Sequence, residues 1–214
     1  IEISEGVTSI GDAAFYGCSG LTNIKIPGSV TTIGVSAFID CSGLTSVEIS
    51  EGVKNLSTNM FGYCWNLASI ELPEGLTTIE SHAFYKCSNL SGGLTIPQSV
   101  TSIGSNAFAY CSGFTGNLII PEGVTTIESG TFSSCTGFNG TLTLPESLSS
   151  MDKYAFSDCT GLTGGLTIPN KVTTIGASAF SKCSGFNGVL TLSENLTSIG
   201  SYAFSGCSNL TGGL

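Results

Sequence analysis

The 214-residue sequence has no arginine, one histidine and one tryptophan, and only 10% of its residues are charged. Without arginine the chain lacks the forked guanidinium that grips phosphate or carboxylate in two-point fashion. Six lysines against fifteen acids leave a net charge of -9, which repels polyanions and excludes nucleic acid and an anionic membrane surface as partners. No apolar run approaches the roughly 20 residues of a membrane-spanning helix. The single histidine, His82, has no cluster of cysteines beside it, so neither a zinc site nor a cysteine–histidine catalytic pair is indicated. The sequence begins at Ile1 without a start methionine or signal peptide and stops at Leu214 in mid-motif, so it reads as a piece of a longer protein.

What the chain does contain is hydrophobic residues, at 41%, and nine cysteines in strict order. Cys18, Cys41, Cys64 and Cys87 are 23 residues apart, and the steps to Cys111, Cys135, Cys159, Cys183 and Cys207 are 24. A phenylalanine stands three residues before each, from Phe15 to Phe204, so Phe-x-x-Cys marks nine tandem units. The unit reads x-x-L-x-x-I-x-I-P-x-x-V-T-x-I-G-x-x-A-F-x-x-C, shown well by Leu21, Ile24, Ile26, Pro27, Val30, Ile33, Ala37, Phe38 and Cys41. Residues 1–87 hold the shorter repeats and 88–214 the longer ones. The added residue falls between Cys87 and Leu94, where a change of curvature or twist is expected.

The apolar spacing predicts local structure. I-x-I alternates with period two and ends at Pro or Ser, the pattern of a short strand. V-T-T-I-G fits a second extended piece, and the stretch through A-F-x-x-C has room for a turn or two of α or 3₁₀ helix. One unit cannot close a core by itself, whereas stacked units cover each other's apolar edges and align the I-x-I strands in one parallel sheet.

Leu21 to Cys41 and Leu162 to Cys183 resemble the BspA-type leucine-rich repeat, common in surface proteins of oral and gut bacteria and of mucosal protozoa. The resemblance covers nearly the whole chain and implies a right-handed leucine-rich-repeat solenoid, mainly β with short α or 3₁₀ turns, carrying the I-x-I strands as a parallel concave sheet. It also implies a secreted or cell-surface location and adhesion to host or microbial surfaces. Ser4, Ser50 and Ser193 depart from the family's strand-end proline, and Met151-Asp152 from its Ile-Gly.

Repetition weighs against chemistry in the cysteines, since nine equivalent thiols are better explained as small buried hydrophobes than as a disulfide framework with one left over. His82 stands in a variable, outward column with no oriented partner. The outward column between the two Ile positions holds Lys25, Glu48, Glu71, Thr95, Thr143, Thr167 and Thr191, and the turn column after the proline adds Glu51 and Glu74. Stacking brings Glu48, Glu51, Glu71 and Glu74 onto adjacent coils, an acidic patch suited to Ca²⁺ or to a basic protein surface. The Thr and Ser ladder of V-T-T-I fits intercoil hydrogen bonding better than binding of ice or glycan. Tyr63, Trp65, Tyr85 and Tyr110 gather near the repeat corner, where they either pack or anchor a contact. The expectation is a non-enzymatic module without cofactor or metal that presents a concave sheet to a protein or glycan. The alternative is a structural spacer that associates end to end.

Overall fold

A computed structural model describes residues 1–212; Leu214, expected to open a further strand, lies outside them. Each repeat winds into one coil of a β-solenoid, and two series of parallel strands run along its length, each divided into separate sheets. The first comes from the V-T-x-I segment, whose two-residue strands include Ser9–Ile10, Thr78–Ile79 and Ser198–Ile199. Like pairs with like between neighbouring coils, as in Thr78 with Ser102 and Thr174 with Ser198. The apolar residue of each inner pair is buried and its Thr, Ser or, at Asn55, amide neighbour faces outward, as period-two alternation requires. Hydroxyls just before these strands tie coils together: Thr77 Oγ1 and Ser149 Oγ each donate to a carbonyl of the preceding coil at 2.9 Å.

The second ladder is the expected I-x-I sheet, but it is not continuous. Asn23–Ile26 pairs with Ser46–Ile49, which pairs with Ser69–Ile70, and there the sheet stops. Beyond the inserted residue the strands join two at a time: Gly92–Gly93 with Phe114–Thr115, Leu118–Ile119 with Leu142–Thr143, and Leu166–Thr167 with Leu190–Thr191. Leu118 faces Leu142 and Leu166 faces Leu190, one full repeat apart, whereas Thr141 faces Thr163 and Val189 faces Thr211, two residues short of a repeat. A slip of two keeps every side chain on its own face, so register can alternate without exposing the core.

The expected helical turn is absent, because no helix forms among the described residues. Alternate N–H groups before the cysteine are divided between two tasks. In the first coil Ala13, Phe15 and Gly17 donate to the carbonyls of Val35, Ala37 and Ile39 in the next coil at 2.8–2.9 Å. Ala14, Tyr16 and Cys18 close tight turns onto Gly11, Ala13 and Phe15. A helix would keep its N–H groups to itself; this arrangement makes the corner a third intercoil seam. It requires positive φ two residues before and two after each phenylalanine, such as His82 at 59° and Lys86 at 61° around Phe84. Left-handed backbone costs a side-chain-bearing residue about 1–2 kcal/mol, a cost offset by the three intercoil bonds the conformation makes available in each coil.

Inside, the phenylalanines form a spine. From Phe15 through Phe38, Phe61, Phe84, Phe108, Phe132, Phe156 and Phe180 to Phe204, each ring stacks on the next with centroids 5.0–5.6 Å apart and planes within 16°. Near-parallel stacks at that separation are favourable offset pairs. All nine cysteines are free thiols. From Cys41 onward each Sγ lies 3.0–3.2 Å from the phenylalanine carbonyl of the preceding coil and donates to it. The thiol therefore packs as a hydrophobe and also satisfies a buried acceptor.

Candidate functional site

With Ile, Val, Leu, Phe and Cys committed to the core, candidate chemistry resides in the outward columns. On the strand face all nine nominated residues reach the surface: Lys25 is half-buried, and Glu48, Glu51, Glu71, Glu74, Thr95, Thr143, Thr167 and Thr191 are exposed. They do not form one site. Lys25 Nζ is 2.7 Å from Glu48 Oε1, an exposed ion pair across neighbouring coils, and that pairing raises the lysine pKa. The pair lines one shallow depression with Glu2 and Asn23. Glu51, Glu71, Glu74 and Thr95 come together elsewhere, in a groove of about 590 Å³ at the place where the I-x-I sheet breaks. Ile70 and Leu72 supply apolar surface there, and the break leaves Gly92 and Gly93 on the opposite bank.

The acidic residues of this groove are not equivalent. The Glu51 carboxylate accepts from the backbone N–H groups of Glu74 and Gly75, both at 3.3 Å, and so braces the turn below it. Glu71 and Glu74 point their charge outward without a cationic partner among the described residues. No three His, Cys, Asp or Glu side chains converge as a metal site among the described residues, so the Ca²⁺ reading of the acidic patch is not supported. The threonines Thr143, Thr167 and Thr191 do not form an unbroken ladder either. Thr167 pairs with Thr191, Thr143 pairs with Ile119, and the slipped register separates the two pairs.

The aromatic corner is a second feature. Tyr85 makes edge contacts with Tyr63, His82 and Tyr110 at centroid separations of 5.2–5.6 Å. Lys86 Nζ sits 5.2, 5.4 and 5.8 Å from the rings of Tyr63, Tyr85 and Tyr110, a cation held over three aromatic faces. Partial burial lowers the His82 pKa, and its neighbour is a ring rather than a nucleophile or carboxylate. Sequence reasoning found these rings but missed what lies beside them: Asn106, Ser129, Gly130, Ser133, Tyr154 and Asp158 continue the same surface. Their signal, Ser129 apart, was the high variability of the columns two before and one to two after phenylalanine.

Residues 1–115 and 114–212 match the BspA type Leucine rich repeat region, in six copies. The chain belongs to this family. Among solved structures, a leucine-rich repeat protein from Bacteroides ovatus is 28% identical with a TM-score of 0.71, over 99% of this chain and 73% of that one. The leucine-rich repeat protein of T. pallidum is 26% identical with a TM-score of 0.59, over 87% of this chain and 77% of that one. A leucine-rich repeat protein from Eubacterium ventriosum, 23% identical with a TM-score of 0.57 over 98% of this chain and 64% of that one, is alike in fold. No curated protein matches the chain. No helix among the described residues of this BspA-type repeat protein is long and apolar enough to cross a membrane.

Proposed function

We propose that this chain is a non-enzymatic binding segment of a secreted or cell-surface protein, and that it engages a protein or glycan partner through its strand face. The observation that carries the reading is the groove at the sheet break. There Glu71 and Glu74, which make no salt bridge among the described residues, project their charge beside the apolar surface of Ile70 and Leu72. A protein segment bearing lysine or arginine next to an aliphatic residue complements that combination of charge and apolar area. Lys25, Glu48 and the threonine column extend the contact surface along the same face. A catalytic reading has less to rest on, since among the described residues His82, the chain's one histidine, packs against the Tyr85 ring.

The test is surface plasmon resonance against immobilised extracellular-matrix proteins at two ionic strengths. Wild-type protein is expected to bind at least one of them more weakly at high salt. The double variant Glu71→Gln/Glu74→Gln is expected to bind roughly tenfold more weakly with an unchanged melting temperature, since unpaired exposed charges contribute to binding more than to stability. Equal binding by the variant removes this groove from the contact.

A further inference from the structure

The turn face carries a notch that the strand-face reading does not use. Around Phe132 the outward positions hold Gly130, Ser133 and Ser134, whereas the coils on either side place Tyr110 and Tyr154 in the corresponding columns. The small residues leave a hollow of about 360 Å³, lined also by His82, Tyr85, Asn106 and Asp158. Tyr110 and Tyr154 belong to coils two steps apart and to different columns, two after and two before their phenylalanines, so they stand at opposite corners of the hollow, more than the roughly 10 Å of two coil spacings apart. Each is about half exposed, at 45% and 49%, and offers a ring to whatever occupies the space between.

Its floor and rim are polar without net charge. Gly130 has φ of 65°, and a Cβ there would collide with Asn106 Oδ1, so glycine is what allows the Asn106 amide to lie across the floor. Asp158 sits at the far rim with its charge balanced by Lys182 Nζ at 3.3 Å, and Ser157 Oγ donates to its other oxygen at 3.2 Å. The near wall is stiffened by Lys86 over Tyr85 and Tyr110. Hydroxyls, an amide and a carboxylate can exchange hydrogen bonds with several hydroxyls at once, while tyrosine faces accept the C–H face of a saturated ring. A net charge of -9 disfavours an anionic ligand.

We infer that this notch is a carbohydrate-binding site, distinct from the strand face, that accommodates an uncharged saccharide of a neutral glycan, with Tyr110 on one bank and Tyr154 on the other. The repeat supplies its own controls, because each diagnostic substitution already occurs in the same column of another coil. Ser133→Tyr copies Tyr85 and fills the notch; Tyr110→Ser copies Ser134; Tyr154→Ser copies Ser178. The probes are cellotetraose, mannotriose and N-acetyllactosamine, with sialyllactose as the anionic comparator, measured by saturation-transfer NMR and calorimetry.

At least one neutral oligosaccharide is expected to bind wild-type protein and to bind Ser133→Tyr and Tyr110→Ser about tenfold more weakly, a loss in keeping with one aromatic contact and its hydrogen bonds. The melting temperature of Ser133→Tyr should stay unchanged and that of Tyr110→Ser should fall slightly with its Tyr85 and Lys86 contacts, and Glu71→Gln/Glu74→Gln should bind as wild type. The inference is overturned if none of the three neutral sugars binds, if sialyllactose binds more tightly, or if the notch-filled variant binds equally well. Sugar binding lost only in the Glu71 and Glu74 variant would also overturn it, and would assign the glycan to the strand face instead.

Discussion

The thiols show at residue scale how neighbours rather than side-chain type decide reactivity. Burial pushes the Cys41 thiol up to about 11 and those of Cys64 and Cys159 up to about 12, so almost no thiolate is present near neutrality. Cys18 differs in being exposed, and Cys207 is half-buried. Uniform protection, which equivalence along the sequence suggested, therefore fails in the first coil. With iodoacetamide at pH 8 followed by peptide mapping, Cys18 should be labelled quickly, Cys207 more slowly, and the seven buried thiols only after urea unfolding. Rapid native labelling of any of those seven would contradict the packed spine.

At element scale the departures from expectation share one cause, which is that hydrogen bonds between coils outweigh local preference. The A-F-x-x-C segment is long enough for a helical turn, yet its alternate N–H groups bond to the next coil. In the longer repeats Gly116 and Gly164 adopt φ of 80°. Their N–H groups donate to Asn139 Oδ1 at 2.8 Å and Asn187 Oδ1 at 3.0 Å. These bonds join coils in pairs and account for the alternating register, a double-length period legible in Phe138-Asn139-Gly140 and Phe186-Asn187-Gly188 against Leu162-Thr163-Gly164. Asn139→Ala should lower unfolding free energy in urea by about 1 kcal/mol, the usual worth of a hydrogen bond of this kind. Asn139→Asp keeps an acceptor and should lose much less. Equal stability of Asn139→Ala and wild type would mean that the side chain does not hold the register.

Across the whole molecule the same thiols set a limit on alkaline stability. An unfolded cysteine ionises near 9.0, while its buried counterpart holds the proton until about 11 or 12. Above pH 9 the unfolded chain therefore binds fewer protons than the folded one, and stability falls as pH rises; below pH 9 the contribution is intact. Each fully buried thiol can remove up to about 1.4 kcal/mol per pH unit, and seven act together because stacked coils unfold cooperatively with their neighbours. Melting followed by circular dichroism should show a flat Tm from pH 7 to 8.5 and a steep fall above pH 9, with the thiolate absorbance of the seven buried cysteines appearing in the same step. Thiolate absorbance beyond that of the exposed Cys18 and half-buried Cys207, rising while the fold persists, would refute this coupling.

Much of this was determined by the amino-acid sequence alone. Period, inward columns, the two extended segments and family membership all follow from Phe-x-x-Cys and I-x-I-P recurring in phase, because one coil cannot bury its apolar face without the next. The outward columns were also legible as places where function could lie, down to Glu71, Glu74, Tyr85 and Tyr110, though not Tyr154. Only the tertiary structure decided which of those residues meet. Glu51, Glu71, Glu74 and Thr95 share a groove because the I-x-I sheet breaks beside them, and Tyr110 and Tyr154 flank a hollow because the coil between them carries glycine and serine. Both features depend on how adjacent coils register, and that is settled by hydrogen bonds between residues more than twenty positions apart, which periodicity within a single repeat does not encode.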